Sequence, residues 1–228
     1  MAKFAILGLG TFGFSLAQAL TEKGAEVIAV DRQMGPVEEI QDYVSVAVKL
    51  DSTDEHALKA QGIHEVDVAI VCIGEDFESN LLTSVLLKQL GVPTVVTRAT
   101  RPIEEKILRA VGIDRVVLPE QEMGEKLAYA LMHPNFKEIF FMGGQISVVE
   151  FKAPEKFVGK TLEEIQLRSK YGLNLVTIQR KREEKDKKGN ISTKIDIIIP
   201  RASTAIENED SLVLVGKKED INKMLNKK

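Results

Sequence analysis

The sequence predicts an α/β fold: a Rossmann-like doubly wound parallel sheet, followed by a smaller α+β C-terminal lobe. Three observations carry this. Short apolar runs alternate with helical stretches through about the first 120 residues, the rhythm of a sheet with right-handed crossovers. The first run leads straight into Gly8-Leu9-Gly10-Thr11-Phe12-Gly13. After His133-Pro134-Asn135 the spacing of the apolar segments changes.

Each element has its own signal. Residues 3–8 are apolar and glycine-terminated, a first strand. A helix is expected over 12–23, where Phe12, Leu16, Ala19 and Leu20 recur at helical spacing and Gly24 supplies the stop. The run 26–31 is apolar almost without a break, as in a strand covered on both faces. A strand at 44–48 precedes a helix at 53–61, with Ser52 or Thr53 as its cap. A central strand at 66–73 feeds a long helix at 78–90, ended by Gly91 and Pro93. A strand at 94–98, a helix at 103–111 and a strand at 115–118 complete the sheet, and a helix at 120–131 leads out of it.

The second lobe reads as strands at 146–152, 173–182, 195–199 and 211–215, with helices at 161–167 and 219–225. The predicted division is therefore 1–133, a connector helix or linker at 134–144, and 145–228. Between 180 and 190 acids and bases interleave and end in Gly189-Asn190, the pattern of a solvated hairpin loop rather than a basic binding arm. Five of the nine phenylalanines (Phe136, Phe140, Phe141, Phe151 and Phe157) fall between 136 and 157. They are either the core of this lobe or, over 136–142, a face for a second subunit.

Composition removes several classes of function. Of 228 residues, 31 are Lys or Arg and 34 Asp or Glu, so the net charge of −3 offers no basic footprint for nucleic acid. One cysteine, Cys72, excludes an intrachain disulfide framework, and His56, His64 and His133 do not pair at a metal-ligand spacing. No apolar run approaches the roughly 18 residues that span a bilayer, and the chain enters a strand at once, so a cytosolic protein without a signal peptide is expected.

The chemistry concentrates at the strand ends. In the glycine motif, Gly8 permits a tight turn, Gly10 lets backbone approach a phosphate, and Gly13 allows close packing of helix on strand. The first-turn amides of the helix, at Thr11 and Phe12, then hold the anion. Asp31 ends the second strand, where a carboxylate accepts the hydroxyls of an adenosine ribose; Arg32 beside it reopens a 2′-phosphate. Asp51 and Ser52 are placed for the base or, equally, for helix capping. Ile73 and Gly74 are placed beneath the base or ribose, and Arg98 for phosphates or a surface ion pair. No catalytic constellation accompanies them: Tyr43, Tyr129 and Tyr171 all lack a lysine four residues on, and Cys72 lies inside an apolar strand. Nucleotide binding without such a constellation points to sensing rather than turnover.

The segments FAILGLGTFG, EVIAVD, DSTDE, VDVAIVCIGED and Leu118-Pro119-Glu120, with FVGKTL, LRSKYG and DSLVLVG in the second lobe, resemble the RCK (KTN, TrkA-type) regulatory proteins of bacterial potassium uptake. The resemblance covers essentially the whole chain. It implies a homodimer assembling into a ring, commonly an octamer, on a membrane potassium-translocating subunit of Ktr or Trk type. It implies ATP or ADP as ligand, with NAD(H) as the alternative. Carried over by position, Gly8, Gly10 and Gly13 hold phosphates, Asp31 the ribose, and Asp51, Ser52, Ile73 and Gly74 the base. Glu120 aligns with an acid that helps hold Mg²⁺ or Ca²⁺, although an acid at a helix start also simply complements the dipole. The chain departs from its ATP-binding relatives at Thr11, where they carry an arginine that reaches a γ-phosphate. ATP, ADP and NAD(H) therefore stay open, as does cyclic di-AMP at the C-terminal lobe. An NAD(H)-dependent oxidoreductase is the competing reading.

Overall fold

The computed structural model describes residues 2–132, 136–141, 146–185 and 191–226. They form two compact units, Met1–Met123 and Gly124–Lys228.

In the first unit β1 (Lys3–Leu7), α1 (Thr11–Glu22), β2 (Glu26–Asp31), α2 (Met34–Ile40), β3 (Val46–Lys49) and α3 (Glu55–Ala60) form one half of the fold. The other half is β4 (Val68–Val71), α4 (Phe77–Gln89), β5 (Thr94–Arg98), α5 (Pro102–Ala110) and β6 (Arg115–Val117). The strands pair in parallel in the order β3-β2-β1-β4-β5-β6. This is the doubly wound order, with its switch point between β1 and β4.

The continuous apolar runs have their explanation here. Ala5, Leu7, Ile28, Val30, Ala69 and Val71 face one helical layer with Leu58, Leu87 and Leu108. Their alternating neighbours Ile6, Val27, Ala29 and Ile70 face the other, with Ala17, Val37 and Ile40. Both faces of the sheet are thus covered, and no strand position needs to be polar. The inner side of α4 is an exception: Asn80, Thr83 and Ser84 are buried there. Ser84 bonds the Asn80 carbonyl at 2.7 Å and the Thr97 hydroxyl at 2.9 Å, so the hydroxyls of the seam are paired internally, while the Asn80 Oδ1 is buried without a hydrogen-bond partner.

Helix α6 (Pro119–Met132) runs across the boundary between the units. The second unit contains β7 (Phe136–Phe141), β8 (Ile146–Lys152), α7 (Leu162–Ile165), α8 (Leu167–Tyr171), β9 (Asn174–Lys185), β10 (Ile191–Ile198), β11 (Ser211–Lys217) and α9 (Lys218–Asn226). Its sheet is antiparallel throughout, ordered β10-β9-β11-β8-β7. Phe151, Phe157, Leu173, Ile178, Leu212, Ile221 and Met224 fill its core. Arg180 ties the β9–β10 hairpin to the turn before β11: its Nε and Nη2 donate to the fully buried Asp210 at 2.8 and 2.9 Å.

Several expectations need correction. Helix α2 was not anticipated, because Met34-Gly35-Pro36 reads as a turn; Pro36 is tolerated in a first turn, where its missing N–H costs nothing. Helix α3 starts at Glu55 and is capped by Asp54, not by Ser52 or Thr53. The expected connector at 134–144 contains strand β7, paired with β8; the side chains of 136–141, and with them the proposed phenylalanine face, lie outside the described residues. The single helix expected at 161–167 is two short ones, split where Gln166 takes a left-handed φ of 55°. The charged stretch at 180–190 is largely strand, since β9 runs to Lys185 and pairs with β10; residues 186–190 lie outside the described ones.

Candidate functional site

The carboxyl ends of β1, β2, β4 and β5 open onto one cavity of about 540 Å³. Gly8 turns the chain out of β1 with φ at 99°, and a Cβ on it would lie 3.1 Å from the Ile73 nitrogen and 3.2 Å from the Cys72 carbonyl carbon. A Cβ on Gly13 would run into the Gly8 carbonyl oxygen, so Gly13 holds α1 against β1. Gly10 is different. No atom lies within 4 Å of where its Cβ would stand, so nothing in the fold itself requires a glycine there. It occupies the N-cap of α1, without a side-chain cap or an acid in the first turn. The first bond of the helix runs from Phe14 N–H to the Gly10 carbonyl, leaving the N–H groups of 11–13 without an intrahelical acceptor. Such an end attracts an anion.

Asp31 sits opposite. Its Oδ2 accepts the Leu9 N–H at 2.7 Å and its Oδ1 the Gln33 N–H at 2.8 Å. Each carboxylate oxygen retains acceptor capacity for a ribose hydroxyl. Asp31 therefore also sets the glycine loop in place. Asp51 accepts from the Thr53 hydroxyl at 2.7 Å and the Thr53 amide at 2.9 Å. Those two bonds, helped by Arg32 against a smaller burial effect, hold its carboxyl below the usual range. The Ser52 hydroxyl is turned inward onto Thr83 at 2.9 Å, so its polar group is already engaged.

The ends of β4 and β5 are tied by one side chain, Asn80, which donates to the carbonyls of Ile73 at 2.6 Å and Arg98 at 3.0 Å. Gly74 is where Arg98 crosses backbone: a Cβ there would be 2.9 Å from the Arg98 Cζ. The guanidinium lies 5.9 Å from the centre of the Phe12 ring and donates from Nη2 to Glu120 Oε1 at 2.5 Å. Its Nε is buried without a hydrogen-bond partner. Cys72 also touches the cavity, but burial pushes its thiol up to about 12, only partly offset by Arg98, and leaves it inert.

The structure brings Gly8, Gly10, Thr11, Phe12, Asp31, Arg32, Asp51, Ser52, Ile73, Gly74, Arg98 and Glu120 around this one cavity; Gly13 packs behind it. Among the described residues no group of three or more His, Cys, Asp or Glu is placed to hold a metal ion. Glu120 is paired with Arg98 instead, which does not fit a metal held by protein groups alone. Sequence reasoning missed Gln33, Glu75, Asp76 and Ser79, which also line the cavity. Asp76 caps α4, accepting from the Ser79 amide at 3.1 Å, and Asp-x-x-Ser at a helix start was a usable signal.

Residues 4–119 match the model of the TrkA-N domain, and residues 146–228 that of the TrkA-C domain. The chain belongs to the TrkA (RCK) family. It is 37% identical over 221 residues to the Ktr system potassium uptake protein C of Bacillus subtilis, covering 97% of this chain and 95% of that protein. Among solved structures it is similar to the GsuK RCK domain, at 26% identity and a TM-score of 0.55, over 98% of this chain and 45% of that one. GsuK bound to ADP matches at 28% identity and a TM-score of 0.52, over 58% of this chain and 34% of that one. The TrkA-N match falls within the first compact unit and contains every residue lining the cavity except Glu120; the TrkA-C match falls within the second. No helix among the described residues is long and apolar enough to cross a membrane.

Proposed function

We propose that the chain is a nucleotide-binding regulatory subunit of a potassium uptake system, acting from the cytosolic face on a separate membrane subunit that carries the ion. The observation that carries this reading is the cavity. The first-turn residues of α1, Asp31 and Arg98 line one cavity, in a chain similar along nearly its whole length to a Ktr protein.

The residues then divide the work. The amides of Thr11 and Phe12 and the guanidinium of Arg98 take the diphosphate, while Asp31 takes the ribose hydroxyls. Ile73 and Gly74 lie against the sugar or base, and Asp51 and Arg32 line the outer rim. Gly8 and Gly13 shape the loop. Ser52 contributes through its place in the wall rather than its hydroxyl. ADP is the ligand best supported. The adenosine site selects for a free ribose, the phosphate site is built of amides and one arginine, and uncharged Thr11 adds nothing for a third phosphate. ATP binds by the same contacts, and the ADP-bound relative fits this choice.

The chain senses rather than turns over its ligand. Control requires two shapes of a ring of such subunits and a ligand that prefers one of them. The test is a calorimetric titration of the purified protein with ADP, ATP, NAD⁺ and NADH, with and without Mg²⁺. ADP and ATP binding with different affinities supports the reading. Binding of NAD(H) alone replaces it with a redox sensor, and no binding by any of them overturns it.

A further inference from the structure

Resting on that reading, we propose that Glu120 is a built-in competitor for Arg98, an internal anion that the ligand's diphosphate displaces. Both side chains line the cavity, and the guanidinium stands beside Phe12 in the first turn of α1, where a phosphate would be held. Glu120 Oε1 therefore occupies a donor that the phosphate needs.

The two partners are unequally fixed. The Arg98 side chain is 18% exposed, is pressed against Gly74, and has its carbonyl pinned by Asn80. The Glu120 side chain is 58% exposed, on the first turn of α6. When an anion arrives the arginine stays and the acid swings into water, where a carboxylate is well solvated. The pair also leaves Arg98 incompletely used: its Nε is buried with no acceptor. A guanidinium presents its donors as a planar fork, and a phosphate oxygen pair can take two of them where the present pair uses one. The exchange is thus favourable for ligands that carry phosphate and irrelevant to those that do not. Glu120 raises the concentration of a phosphate-bearing nucleotide needed for occupancy and leaves the affinity for a nucleoside without phosphate unchanged. This differs from a role as metal ligand, and the two make opposite predictions for the same variant.

The experiment is calorimetry of the full chain in chelator-containing buffer, with ADP and adenosine as probes, on the wild type, Glu120→Gln, Arg98→Met and the double variant. Glu120→Gln is expected to tighten ADP binding roughly two- to fivefold, the worth of one partly exposed ion pair, and to leave adenosine unchanged. Arg98→Met is expected to weaken ADP, and on that background Glu120→Gln has no further effect. If the wild type binds ADP and Glu120→Gln binds it equally or more weakly, the competitor role is wrong while the nucleotide-binding reading stands. If the wild type binds none of ADP, ATP or NAD⁺, that reading falls and this inference falls with it.

Discussion

Asp31→Asn is the substitution with the most to lose. The carboxylate accepts the Leu9 amide on one oxygen and the Gln33 amide on the other, at 2.7 and 2.8 Å. An asparagine keeps one acceptor oxygen and turns the other position into an NH₂ group. That group faces an N–H donor whichever way the amide is flipped. One loop amide is then left unpaired, which costs about 1–3 kcal/mol of stability, while Leu9 and Gly10 shift away from the mouth of α1. The ribose loses a charge-assisted acceptor worth about 1.5–3 kcal/mol, or roughly a tenfold to 150-fold rise in Kd for ADP. Calorimetric titration reads the affinity, and thermal melting of the unliganded protein reads the stability. Asp31→Asn binding ADP within twofold of the wild type would refute the assignment of the ribose to this residue.

Three further outcomes follow from other parts of the structure. Burial alone would raise the pKa of Glu104, yet the Thr100 amide, the Arg101 guanidinium, the Thr100 hydroxyl and the Arg101 amide outweigh it and bring the group from 4.5 to about 2. Its contribution, about 3 kcal/mol, is therefore complete above about pH 4.5 and lost as pH falls toward about 2; urea midpoints across that range should show the loss, and Glu104→Gln should flatten it. Gly13→Ala drives a methyl into the Gly8 carbonyl and should cost about 1–3 kcal/mol in a melting experiment, whereas Gly10→Ala meets open space and should change stability by less than about 1 kcal/mol while weakening ADP. Removing one partner of the Arg180–Asp210 pair, as in Arg180→Met, leaves a fully buried carboxylate without its main partner and should cost about 3–5 kcal/mol in the second unit.

The parts legible in the sequence are those governed by local sterics. Gly8 and Gly13 announce a strand-to-helix turn because few other residues fit there, and Asp31 is found by its place at the end of a run too apolar to be anything but a covered strand. The parts that were not legible depend on partners distant in the chain. Ser52 looks like a cap or a ligand until Thr83, on a helix opposite, takes its hydroxyl. Glu120 looks like a helix-start acid or a metal ligand until Arg98 is seen beside it. Strand β7 was missed because Phe136–Phe141 has no clean alternation and gains its identity only by pairing with β8. Helix α2 hides behind a Gly-Pro pair that usually marks a turn, and it forms because Val37 and Ile40 are buried against the sheet.

The most direct test of the account is potassium flux through the membrane subunit reconstituted in vesicles with this chain, measured with ADP, with ATP and without nucleotide. The wild type should give fluxes that differ among the three conditions, and the Asp31→Asn variant should give one nucleotide-independent flux. Equal flux in all three conditions for the wild type, with nucleotide shown by calorimetry to be bound, would contradict the claim that this site controls transport.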